Sequence, residues 1–122
     1  MILSRSMLIE FAVVGLIAIC LAGIEVHYAM TMVSQQVALA AASGGSLSPE
    51  VVHMIRTTAA PLAVVLNVAL IHFHAFNYMR EIRKHSDDDT VLAQVRITVW
   101  VYECISCIVV LATVIMVLQA TR

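Results

Sequence analysis

Residues 61–85 read PLAVVLNVALIHFHAFNYMREIRKH, from Pro61 to His85. The stretch opens on a proline, stays apolar through Met79, and closes on the basic cluster Arg80, Arg83 and Lys84. A hydrocarbon core of about 30 Å takes about 20 mostly apolar residues in a helix. This run is long enough to cross one. It carries Asn67, His72, His74 and Asn77 on the way, and polar groups at membrane depth are costly unless they have a partner or a role.

Composition points the same way. Of 122 residues 61% are hydrophobic and 12% charged, against about 45–50% and 25% in soluble domains. A chain this short cannot bury that excess in its own core, so lipid must cover the remainder. The expected fold is all-α: one integral membrane domain over residues 1–122, a bundle of three transmembrane helices. A net charge of -1 and the absence of any recognition motif exclude a nucleic-acid binder. Cys20, Cys104 and Cys107 all fall in apolar runs, where a thiol behaves as a small hydrophobe.

Outward from residues 61–85, two further apolar segments appear. The spans are expected at about 7–29, 58–84 and 87–119. Lipid forces backbone hydrogen bonds to be made internally, so each is a helix. The N-terminal stretch, with Arg5 ahead of an apolar run, also has the look of a signal peptide; it reads here as a retained span. The connection from Thr31 to Thr57 is expected to be long. Gly44-Gly45 breaks it, and Ser48-Pro49-Glu50 has the order of an N-cap, a first-turn proline and a first-turn acid. A short interfacial helix at about 49–57 should follow, with Pro61 kinking it into, or restarting, the second span. In the second connection Ser86 reads as a cap for a helix beginning with Asp87, Asp88 and Asp89, and Glu81 sits one turn before His85. Both helices are expected to project beyond the bilayer as a charged hairpin tip.

Basic residues set orientation. Arg5, Arg80, Arg83 and Lys84, with Arg96 just inside, gather on one side, and only Arg56 and Arg122 on the other. The N-terminus and second connection are therefore expected in the cytoplasm, or the matrix of an organelle, and the C-terminus outside an inner membrane.

The intramembrane polar residues are the candidate site. Residues two apart on a helix point about 200° apart, so His72 and His74 cannot clamp one ion together. Asn67, His74, Asn77 or Tyr78, and Glu81 form one polar stripe, whereas His72 shares its face with apolar side chains. His74 is the better inward-facing group. The third span has its own stripe, Arg96, Trp100, Glu103 and Cys107. Counted from the cytoplasmic side at about 1.5 Å per residue, His72, His74 and Glu103 fall at similar depth, and Glu10 could meet Arg96. A buried carboxylate needs a cation or a proton. Glu25 and His27 are placed at the outer end of the first span, near interfacial water. Cys104-Ile-Ser-Cys107 is formally CxxC but lacks the electropositive helix start that activates such pairs. A metal site of these two thiols and a histidine is geometrically open.

Three helices in this length, a long first connection, and Pro61-Leu-Ala-Val-Val-Leu-Asn67 followed by His72 or His74, an aromatic residue and Glu81 resemble the membrane anchor subunits of fumarate reductase and succinate dehydrogenase. The Asp-Tyr after helix two of the small succinate dehydrogenase anchor is missing here; Arg83 and Lys84 stand roughly there. The resemblance implies a heteromeric, quinone-linked respiratory complex. His74 or His72 would be an axial ligand to b-type haem, with the second ligand from a partner subunit. The chain is also similar to the small subunit IV of bacterial haem–copper oxidases, whose first connection is short.

Two other functions suit the same residues: a homo-oligomeric channel or small transporter with a Glu/His proton or ion path, and an accessory subunit without ligand. An enzyme acting alone is not expected, since no nucleophile–base pair has suitable spacing.

Overall fold

The computed structural model describes residues 5–120. Arg122, counted above for orientation, lies outside them. Three helices account for nearly all of this length: α1 (Arg5–Ala42), α2 (Pro49–His85) and α3 (Asp89–Ala120). No strand occurs among the described residues. Each helix is long and apolar enough to cross a bilayer, and each packs against both others. The chain is an up-down-up bundle of three membrane-spanning helices.

The helices outrun the hydrocarbon. At about 1.5 Å per residue, the 38 residues of α1 and the 37 of α2 each span roughly 55 Å. Two expectations are corrected here. First, α1 does not stop near Ala29: Thr31–Ala42 continues it, because Met, Gln, Leu and Ala are good helix formers and no breaker precedes Gly44. The helix ends where Gly44, at φ 76°, takes the left-handed conformation that glycine adopts without a Cβ clash. Gly45 N–H then bonds to Ala40 C=O at 2.9 Å and Gly44 N–H to Ala41 C=O at 3.2 Å. The first connection is thus only residues 43–48, not Thr31–Thr57.

Second, the segment 49–57 is not a separate interfacial helix but the start of α2, which runs unbroken through Pro61. Ser48 caps it as expected, its hydroxyl accepting from Val51 N–H at 3.3 Å. The backbone N–H of Glu50 itself and the Ser48 hydroxyl hold the Glu50 carboxyl below the usual range. Proline costs one backbone bond, and hydroxyls commonly help such helices. Just before Pro61, Thr57 donates to His53 C=O at 3.0 Å and Thr58 to Met54 C=O at 2.8 Å. At the other turn the cap of α3 is Asp88, not Ser86: its Oδ1 accepts from Thr90 N–H at 2.9 Å.

The packing is that of a membrane protein, small inside and large outside. Buried positions of α1 fall at Met7, Phe11, Gly15, Ala18, Ala22, Val26, Met30 and Val33, a repeat of three and four that keeps one face inward. Ala60, Ala63, Asn67, Ile71 and Ala75 do the same on α2. Meanwhile Leu16 and Ile24 are 61% and 64% exposed. Small residues let backbones approach where lipid removes any hydrophobic drive for association. At Gly15 the approach is so close that a Cβ would sit 2.9 Å from Ser106 Oγ.

Candidate functional site

Helix α2 carries the polar groups, and its two histidines face different neighbours. His72 turns to α3, where its Nδ1 meets Glu103 Oε1 in a short contact. Where a neutral imidazole faces an ionised carboxylate, the carboxylate accepts, Nδ1–H donates, and Nε2 is left without a proton. The imidazole nevertheless stands on the outside: the His72 side chain is 69% exposed and that of Glu103 17%. Arg96 and Trp100, the other expected members of the α3 stripe, line the same groove. Arg96 does not meet Glu10.

His74 turns to α1. Its Nε2 lies 3.7 Å from Glu10 Oε1, an ion-pair distance too long for a hydrogen bond, and that nitrogen is buried with no hydrogen-bond partner. The ring stands edge-on to Phe11, centroids 5.2 Å apart. Phe11, 6% exposed, is a hub for all three helices, since it also meets Tyr78 of α2 and Tyr102 of α3 at 5.1 and 6.0 Å. Below this cluster opens a cleft of about 640 Å³ with Glu10, His74, Asn77, Tyr78, Glu81 and His85 on its walls. The α2 stripe read from spacing is therefore real and faces α1. At its exposed end Lys84 Nζ donates to Glu81 Oε2 at 3.0 Å, and this bond with the lysine's charge holds the Glu81 carboxyl below the usual range.

The third polar contact lies mid-bundle. Asn67, 2% exposed, donates through Nδ2 to Glu25 Oε2 and to Ala63 C=O, both at 2.8 Å. Glu25 sits halfway along α1, because that helix continues another four turns and more. Spacing gave a usable signal: Glu25 follows Ala22 by three on the edge of the small-residue face.

His72, His74 and Glu103 do not converge. The structure holds two carboxylate–histidine pairs, His72 with Glu103 and His74 with Glu10, on different sides of α2, and a separate carboxylate–amide bond deeper in. A histidine–carboxylate pair can hold or hand on a proton; the amide of Asn67 cannot. Cys107 packs against the apolar core, Cys20 and Cys104 are exposed, and all three are free thiols. Among the described residues no three His, Cys, Asp or Glu side chains gather as a metal site.

For haem, His72 has the suitable chemistry: a proton on Nδ1 engaged by a carboxylate leaves Nε2 as the ligating atom, the arrangement that orients ligating histidines generally. His74 fits poorly, with its Nε2 buried beside Glu10. The long first connection that contributed to the anchor-subunit resemblance is replaced by residues 43–48. Searched against protein-family models, curated proteins and solved structures, the chain matches none.

Proposed function

We propose that the chain is a small, non-catalytic subunit of a larger membrane assembly, joined to a neighbouring protein through the α2–α3 face that carries His72 and Glu103. The observation behind this is the position of that pair. His72 lies about 10 Å inside the apolar run of α2, counting from Met79 at about 1.5 Å per residue, yet its ring faces outward. A hydrogen-bonded imidazole–carboxylate pair is costly against hydrocarbon and better placed against protein.

The specific form of this reading is an anchor of a quinone-linked respiratory complex in an inner membrane. The N-terminus and the α2–α3 connection would be cytoplasmic by the basic-residue rule. In that setting His72, not His74, would hold b-type haem, a group that supplies one-electron transfer. Purification of the full chain from its native membrane in mild detergent tests both levels. Further subunits should co-purify, and a Soret band, if present, should vanish in His72→Ala. A monodisperse homo-oligomer with no other subunit overturns the proposal.

A homo-oligomeric channel or transporter is the second reading. It is favoured by the polar side of α2 turned to α1, where Asn67–Glu25 and His74–Glu10 follow one another toward the 640 Å³ cleft. Reconstituted liposomes should then show proton or cation flux that Glu25→Gln abolishes; no flux at any pH rejects it.

A further inference from the structure

Between the last turns of α2 and the first of α3 lies a cleft of about 540 Å³. Met79 forms its floor, and Arg83, Arg96, Asp87 and Asp89 stand around it. Arg83 and Arg96 make no ion pair or hydrogen bond with any described residue, so two cations and two anions share a cleft without closing on one another. They are sorted by height. At about 1.5 Å per residue, Arg96 lies roughly 10 Å deeper in the bundle than Asp89, and Arg83 roughly 6 Å above Met79. A second groove of about 170 Å³ continues downward from the same Met79 and Arg96, between Phe76 and Trp100.

We propose that this groove binds one phospholipid with a zwitterionic, primary-amine headgroup, a phosphoethanolamine. The phosphate sits on Arg96 and Arg83, the ammonium on Asp87 and Asp89, and one acyl chain starts down over Met79, above the His72–Glu103 pair that shares the lower groove. In a glycerophospholipid the phosphate is nearer the chains than the amine, the same order as the arginines and the acids here. Arginine suits phosphate because its planar fork gives paired hydrogen bonds. An anionic glycerol headgroup would leave both aspartates facing no cation. A choline headgroup offers a cation with no N–H to donate. The inference needs the helices to cross a bilayer with the α2–α3 turn at headgroup level; the lipid borders the His72–Glu103 face of the subunit reading, and its titration can fail without touching that reading.

The test uses the full chain, purified, delipidated in detergent, and titrated with phosphatidylethanolamine, phosphatidylglycerol or phosphatidylcholine of identical acyl chains. Bound lipid is counted by native mass spectrometry. The ethanolamine lipid should fill one site at about tenfold lower concentration than the others, the size of one charge-assisted contact. Arg96→Gln and Arg83→Gln, both at exposed positions, should each lose that preference and weaken binding. The double substitution Asp87→Asn with Asp89→Asn should keep one lipid bound but shift the preference to the glycerol lipid. Equal binding of the three lipids by the unaltered chain, a glycerol lipid bound as tightly as the ethanolamine one, or arginine variants that bind unchanged overturns the proposal. Helicity by circular dichroism confirms that each variant is folded.

Discussion

Removing the donor of the mid-bundle contact, Asn67→Ala, should destabilise the bundle through a coupling to Glu25 that a double-mutant cycle can isolate. Asn67 Nδ2 makes two bonds of 2.8 Å, one to Glu25 Oε2 and one to Ala63 C=O. Only the first joins two helices. Interhelical hydrogen bonds in membrane bundles average about 0.6 kcal/mol, with a maximum near 1.7, and bonds to charged groups are worth about 1.5–3. Asn67 is 2% exposed while Glu25 is only partly covered, so solvation discounts the charged figure. A coupling of about 1–1.5 kcal/mol follows, roughly a tenfold change in the folded-to-unfolded ratio. Asn67→Ala by itself should cost about 2–3 kcal/mol, because the Ala63 bond and side-chain volume go as well. Glu25→Gln keeps an acceptor oxygen and should cost under about 1 kcal/mol. The assay is equilibrium unfolding in mixed micelles of dodecylmaltoside and dodecyl sulfate, for the unaltered chain, Asn67→Ala, Glu25→Ala and the double variant. Costs that add within about 0.5 kcal/mol, as independent sites do, would refute a direct Asn67–Glu25 bond in the folded protein.

Three further outcomes follow from particular contacts. Gly15→Ala places a Cβ 2.9 Å from Ser106 Oγ; the hydroxyl can rotate away, so the cost should be about 1 kcal/mol, largely restored by Ser106→Ala, whereas Gly15→Leu should cost about 3. The same micelle unfolding measures all of them. Gly44→Ala forces a side chain into φ 76° and should cost about 1 kcal/mol, read as a lower melting temperature. The Glu81 carboxyl is held low by its bond to Lys84 and by that charge. Its folded pKa is therefore below the unfolded one, near 4.3 for glutamate: the stabilisation is present above that pH and lost as pH falls through the lowered folded value. Lys84→Ala should move the Glu81 side-chain carbon titration in NMR spectra up to the ordinary range.

What the sequence revealed, and what it concealed, follows from which physical quantity each reading used. Apolar run length identifies spans well, because the bilayer imposes a minimum, and each of the three helices covers one of the spans expected at about 7–29, 58–84 and 87–119. The same quantity says where lipid ends, not where a helix ends. The stretch Thr31–Ala42 is mildly polar and so has the look of a connection, yet its residues are good helix formers with nothing to stop them before Gly44. Pro61 misled for a related reason: a single lost backbone bond is cheaper than ending a helix inside a packed bundle. Spacing on α2 separated His72 from His74 and turned His74 inward, as found, but it gave His72 an apolar face, which a glutamate from another helix completes. The residue count puts Glu103 at the depth of both histidines but does not say which one it meets.

The bundle's axis bears on the choice among functions. Ala18, Ala22, Val26 and Val110 are fully covered, and Val114 nearly so; these five side chains fill the space between the helices with nothing an ion could exchange for water. The polar pairs are displaced from that axis: His72–Glu103 stands outside the α2–α3 seam, and Glu10–His74 borders an open cleft at one end. Between Asn67 and His74 the covered side chain of Ile71 intervenes, so even the α1–α2 polar face is interrupted. A single chain thus has a closed axis, with its polar pairs set beside it. In the channel reading a path would run beside that axis or between copies, and in the subunit reading a carrier would be shared with a neighbour. Both functions place the decisive chemistry at the rim, which makes the identity of what packs beside His72 and Glu103 the quantity that separates them.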